Sequence, residues 1–124
     1  GGDVSLLAVG SMVHPAVEAA GLLSKRGIHA AVGDARFVKP LDIELVLELA
    51  SDDRPFFPVE ENVLSGGFGG AVELALSTMG NSTPVRRIGL EDGFVPHGSR
   101  QILLEEAGLT PEGIADTVER TLSG

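Results

Sequence analysis

Two adjacent carboxylates, Glu60 and Glu61, stand just before Asn62 and the glycine-rich run Gly66-Gly67-Phe68-Gly69-Gly70, and this stretch most plainly invites a chemical reading. Paired carboxylates can work as general acid and base, a glycine-rich turn opening a helix can cradle phosphate, and histidines can ligate metal or move protons. The chain has three histidines, His14, His29 and His97. Arg36 and Lys39, in Arg36-Phe37-Val38-Lys39-Pro40-Leu41-Asp42, add cations that could neutralise Glu60 or Glu61 or hold a neighbouring domain.

The spacing tests each of these. Phe56 to Glu60 has the pattern of a buried strand, and if the strand continues, Glu60 and Glu61 fall on opposite faces and do not form an acid–base pair. One is expected to cap the following turn or accept backbone hydrogen bonds, the other to be solvated or meet a partner. Counted from Gly67, a dinucleotide-binding turn needs Gly or Ala where Val72 stands, and no Gly-Lys pair follows for a phosphate loop. Two carboxylates within about 5 Å of a phosphate would also each repel it by roughly 3 kcal/mol at an effective dielectric near 20. The glycines are therefore read as letting strand and helix approach closely. No two histidines have the close spacing of a metal site, and no serine lies in a Gly-x-Ser-x-Gly context. His29 is read as a surface residue beside a strand start.

The elements that must position these residues alternate. Val4 to Gly10 is an apolar run of the kind buried on both faces. Pro15 is expected to open a helix with Val17, Ala20 and Leu23 on its inner face and Gly27 at its stop. Ile28 to Val32 reads as a second strand, and Asp42 as the cap of a helix turning Leu45, Val46 and Leu49 inward. Phe56 to Glu60 is the third strand, followed by a helix to about Met79, and Val85 to Leu90 is the fourth. Two short helices are expected to close the chain, one capped by Ser99 and one opening at Thr110-Pro111. Strands alternating with helices predict a three-layer α/β domain, a mainly parallel open sheet with helices on both faces. With strand order 2-1-3-4, Ser11 and His14 would face Glu60, Glu61 and Asn62 across the crevice at the switch point.

Composition bounds the function classes. The 124 residues are 43% hydrophobic and carry a formal charge of −9, which predicts one folded domain and disfavours nucleic acid and anionic membranes as partners. The chain has no cysteine, which removes disulfides and thiolate chemistry and fits a reducing compartment. No apolar run approaches the roughly 20 residues of a membrane helix. A cytoplasmic protein is expected, and Gly1-Gly2 leading straight into an apolar strand suggests a piece of a longer one.

Three motifs in order, Arg36 to Asp42, Val59-Glu60-Glu61-Asn62 with Gly66-Gly67-Phe68-Gly69, and Gly89-Leu90 through Asp92-Gly93-Phe94-Val95-Pro96-His97-Gly98, give a resemblance over nearly the whole chain. The chain resembles the C-terminal domain of the 1-deoxy-D-xylulose-5-phosphate synthases, thiamine-diphosphate enzymes of the transketolase superfamily. Glu91 departs from the family's usual proline before Asp92, which should alter only a turn.

The resemblance implies a transferase that joins a two-carbon unit from pyruvate to glyceraldehyde 3-phosphate, feeding isoprenoid and thiamine synthesis. In that family thiamine diphosphate and magnesium are held by the two preceding domains through a Gly-Asp-Gly motif and a catalytic glutamate. This chain has no Gly-Asp-Gly, so no catalytic, cofactor-binding or metal residue is assigned to it. Residues 1–124 are expected to be a single structural and dimer-interface domain, inactive alone, contacting the preceding domains and the second subunit of a homodimer. The candidate contacts are Ser11, His14, Arg36, Lys39, Glu60, Glu61, Asn62, Gly66, Gly67, Phe68 and His97. The alternatives are the matching domain of a 2-oxoacid dehydrogenase beta subunit or a transketolase, or a small-ligand regulatory module using the crevice of Ser11, His14 and Glu60 to Asn62.

Overall fold

A computed structural model describes residues 3–35, 43–50, 54–62, 68–81, 83–90 and 108–123. Its strands are β1 (Val4–Ala8), β2 (Ala30–Asp34), β3 (Phe56–Asn62) and β4 (Ile88–Leu90). Its helices are α1 (Val13–Lys25), α2 (Ile43–Leu49), α3 (Phe68–Thr78) and α4 (Pro111–Ser123). The strands form one parallel sheet, as the alternation of strands and helices predicts, and its order is β2-β1-β3-β4, the order supposed above for the crevice.

The register explains the core. Val4 to Ala8 pair with Ala30 to Asp34 on one side, and Ser5 to Ala8 with Phe56 to Val59 on the other. With neighbours on both edges, β1 can only bury its side chains above and below the sheet, and all five of its residues are fully buried. Val4, Leu6 and Ala8 join Phe57, Val59 and Ile88 beneath α1 and α4, which contribute Ala16, Ala19, Leu23, Ile114, Ala115 and Val118. On the opposite face Leu7 and Phe56 meet Val46 and Leu49 of α2 and Val72 and Leu76 of α3. The result is three layers, helix pair on sheet on helix pair.

The inward stripe of α1 differs from the expected one. Ala16, Ala19 and Leu23 face the core, while Val17 is 52% exposed and Ala20 only half-buried. The helix starts at Val13, two residues before Pro15, and must pack against both the sheet and α4; small alanines allow that approach where valine would not. β2 begins at Ala30 rather than Ile28, because the Ile28 amide is used to close α1. It donates to the Leu23 carbonyl at 2.9 Å while Gly27, at φ 81, donates to Ser24 at 3.1 Å. Gly80, at φ 73, ends α3 by the same double bond pattern, with Asn81 donating to Leu76 and Gly80 to Ser77.

The fourth strand is shorter than the Val85–Leu90 expected. Val85 makes an isolated parallel bridge to Phe56, and the ladder resumes at Ile88 with an irregularity opposite Val59 to Asn62. The closing helix is 13 residues long, not short, and Thr110 caps it as expected, its hydroxyl accepting from the Gly113 amide at 3.1 Å. The cap at Asp42 and the helix after Ser99 lie outside the described residues.

Two hydroxyls tie the end of α2 to the amino-terminal edge of the sheet. Ser5 of β1, buried at 0% exposure, donates to the Leu49 carbonyl, and buried Thr83 donates to the Ala50 carbonyl at 2.8 Å. These bonds satisfy helix-end carbonyls that α2 cannot satisfy itself. Among the described residues, no buried side-chain polar atom is left unpaired.

Where α4 begins, a Cβ on Gly113 would lie 2.7 Å from the backbone of Gly108, which sits at φ 75. Ala is intrinsically better than Gly in a helix by about 1 kcal/mol. Gly113→Ala is nevertheless expected to destabilise the chain by about 1–3 kcal/mol, since backbone cannot yield as a side chain can. Urea unfolding of the two proteins checks this, read as a lower midpoint at unchanged slope.

Candidate functional site

In an open parallel sheet, the crevice forms where neighbouring strands send their chains to opposite faces. Here α1 leaves β1 for one face and α3 follows β3 on the other, so the switch point lies between β1 and β3. The Val9 amide donates to the Val59 carbonyl at 3.2 Å, which draws the short helical turn Gly10–Met12 against β3. Ser11 is exposed on that turn, and Glu60, Glu61 and Asn62 form the end of β3 beside it.

The side chains there do different things. His14, one residue into α1, is exposed, and its Nε2 lies 2.6 Å from Glu18 Oε1 one turn along the helix. Glu60 is 5% exposed, one of three buried polar or charged residues among those described. Its charge acts on Arg87, which precedes β4, and Arg87 Nε in turn donates to Glu73 Oε1 of α3 at 2.8 Å.

The hydrogen bond from Arg87 holds the Glu73 carboxyl below the ordinary carboxylate range, against a smaller opposing effect of burial. The same bond raises Arg87, and the Glu60 carboxylate adds to it. Through that hydrogen bond Arg87 locks α3 to the start of β4, and the buried Glu60 carboxylate of β3 favours the charge of the same guanidinium.

Of the other candidates, Phe68 opens α3 and Glu61 and Asn62 complete β3. Arg36, Lys39, Gly66, Gly67 and His97 lie outside the described residues. His29 is exposed, and its backbone amide donates to Asp3 Oδ2 at 2.9 Å. Among the described residues, no three His, Asp or Glu side chains come together as a metal site, and no helix is long and apolar enough to cross a membrane.

Sequence reasoning did not find Arg87 and Glu73. Fourteen residues separate them, and no local spacing rule reaches that far. A second long-range clamp was equally silent: Arg26 Nη1, just past the end of α1, meets Asp116 Oδ1 at 2.9 Å and Glu119 Oε2 at 2.8 Å on α4.

Comparison with known proteins gives a consistent picture. The family profile "Transketolase, C-terminal domain" matches residues 1–114. The chain is 50% identical over 123 residues to the 1-deoxy-D-xylulose-5-phosphate synthase of Gloeobacter violaceus, covering 99% of the chain and 19% of that protein. It is 52% identical over 119 residues to the protein of the same name from Pelotomaculum thermopropionicum, covering 95% of the chain and 19% of that protein. The chain thus spans about a fifth of the length of these relatives. Among solved structures, it superposes on a split-gene transketolase, described as an inactive beta4 tetramer, with TM-score 0.86 and 38% identity, covering 98% of the chain and 39% of the other. A transketolase of Pichia stipitis shares the fold, with TM-score 0.69 at 24% identity over 98% of the chain and 16% of the other.

The lock on Glu73 has a pH signature. A carboxyl held low in the folded state stabilises it above the unfolded-state pKa, and that contribution fades as pH falls through the folded-state value. Glu73→Gln is therefore expected to cost about 0.5–1 kcal/mol near pH 7, the size of a half-exposed pair, and less at an acid pH below the ordinary carboxylate range. Paired denaturation curves at the two pH values check the convergence.

Proposed function

The chain belongs to the transketolase C-terminal domain family, and on that premise we propose that it is the C-terminal structural and subunit-contact domain of a 1-deoxy-D-xylulose-5-phosphate synthase. The observation that carries this is 50% identity along 99% of the chain to a protein of that name, of which it matches only 19%. A chain this similar to about a fifth of a longer enzyme is read as one domain of such an enzyme, whose chemistry belongs to the whole. That whole would join two carbons of pyruvate to glyceraldehyde 3-phosphate, in the cytoplasm, as a step toward isoprenoids and thiamine.

Thiamine diphosphate with magnesium is the cofactor this reading implies for the parent enzyme. The described residues of this chain do not fit it. Among the described residues the one buried carboxylate, Glu60, lies in the field of Arg87, and the partly exposed Glu73 is committed to the same guanidinium.

What this chain contributes is position. The sheet, covered on both faces, presents the turn at Ser11 and the end of β3 at Glu60 to Asn62 as a firm carboxyl edge. This edge, with His14, Arg36, Lys39, Gly66, Gly67, Phe68 and His97, is the surface assigned to the preceding domains and to the second subunit of a homodimer. The description of the related split-gene transketolase chain as inactive in its beta4 form supports the expectation that this domain alone does no chemistry.

The test is product formation from pyruvate and glyceraldehyde 3-phosphate, with thiamine diphosphate and magnesium supplied, for this chain and for the full-length protein that contains it. An active full-length protein and an inert chain are expected. A full-length protein that ignores glyceraldehyde 3-phosphate but passes acyl groups from a 2-oxoacid to an acyltransferase core would overturn the reading in favour of a dehydrogenase beta subunit.

A further inference from the structure

Positive charge is scarce in this chain, nine Lys and Arg against eighteen Asp and Glu. Three of the nine nonetheless line one cleft. Arg86, Arg87 and Arg120, with Thr117 and Thr121, surround a volume of about 350 Å³. Arg86 and Arg87 lie on the segment leading into β4, and the other three on the second half of α4. The cleft is therefore at the amino-terminal end of β4, away from the carboxyl edge described above.

The charges in the cleft are not equally available. Arg87 is held by Glu73, with Glu60 behind it. Arg86 and Arg120 have no carboxylate partner among the described residues. The acidic groups of α4 nearest in sequence to Arg120, Asp116 and Glu119, are both held by Arg26. Arg120 Nη2 instead donates to Thr117 Oγ1 at 3.3 Å, and Thr121 Oγ1 donates to the Thr117 carbonyl at 2.9 Å. An accepting Thr117 hydroxyl keeps its own proton for another acceptor. The lining thus offers two guanidinium forks with no carboxylate partner among the described residues and a hydroxyl donor, a set that suits an anion with several acceptor oxygens.

We propose that this cleft binds a phosphate group, as inorganic phosphate or as the phosphate of a small organic phosphomonoester. Guanidinium forks match the tetrahedral oxygens of phosphate in paired, charge-assisted hydrogen bonds. A dianion also relieves the repulsion between guanidinium groups that share one wall. The volume is at the small end of the range for ligand sites, about 300–1,000 Å³, which suits a phosphate with a short carbon chain. A net charge of −9 disfavours the phosphates of a nucleic acid, whose binding needs an extended basic surface. The cleft shares no residue with the proposed subunit contacts, so its test is independent of the synthase reading.

The experiment measures the Tm of this chain against inorganic phosphate, glycerol 3-phosphate and chloride at matched ionic strength, for the unaltered protein, Arg120→Gln and Lys25→Gln. A saturable rise is expected with both phosphates and not with chloride. Arg120→Gln should weaken the apparent affinity about tenfold or more, while Lys25→Gln, which removes the same charge from the exposed end of α1, should leave it unchanged. Tighter binding of glycerol 3-phosphate assigns the site to an organic phosphate; equal binding assigns it to the phosphate group alone. Amide resonances of Arg86, Thr117 and Thr121 provide a reading that needs no variant, and they should move on phosphate addition. The proposal is overturned if chloride reproduces the rise, if Arg120→Gln binds as tightly as the parent, if Lys25→Gln weakens binding equally, or if those amides do not move.

Discussion

Everything in this domain hangs on β1. Hydrogen-bonded on both edges and covered on both faces, its five residues have no contact with water. That burial requires two hydrophobic layers, so helices must occupy both sides of the sheet, and the chain must cross over between strands to supply them. The one polar side chain in β1, Ser5, fits only because its hydroxyl has a carbonyl to bond at the end of α2. Loss of that partner would leave a buried donor costing about 1–3 kcal/mol.

A centre of this kind divides the labour of the surface. Ion pairs act as clasps between elements that the core has already brought together: Arg26 joins α1 to α4, and Arg87 joins α3 to the start of β4. Each is half-exposed and modest in energy, so the clasps set angles and register more than overall stability. The two ends of the sheet carry the proposed roles. At the carboxyl end the turn after β1 and the tip of β3 lie side by side, and at the other end Arg86 and Arg120 face a cleft with their charge uncompensated by any described residue.

Much of this was legible in the sequence, for reasons that can be named. Fully apolar runs such as Val4 to Ala8 announce strands buried on both faces, and Gly27 and the Thr110-Pro111 pair mark helix ends by local stereochemistry. The parallel sheet followed from the alternation of strands and helices, while its order 2-1-3-4 was only the commoner arrangement of such small sheets, and the ordered motifs pointed to the family that the comparison shows. What sequence could not give were the choices made by packing. Ala16 and Ala19 rather than Val17 face the sheet because of the space between α1, α4 and β1. Likewise Glu60 was visible as a carboxylate at a strand end, but Arg87, whose charge it favours, lies just before another strand, and the clasp from Arg26 to Glu119 spans 93 positions. Such pairs exist only once the fold has placed them.

The account assigns this domain a supporting role, in which a rigid, doubly covered sheet presents its carboxyl edge to the rest of a larger enzyme. Hydrogen exchange, compared residue by residue between this chain alone and the full-length protein, tests that assignment most directly. The account predicts that amides of Gly10 to His14 and Glu60 to Asn62 slow markedly in the full-length protein, while those of β1 exchange slowly in both. Unchanged exchange at that edge, with new protection confined to the outer surfaces of α2 and α3, would contradict it.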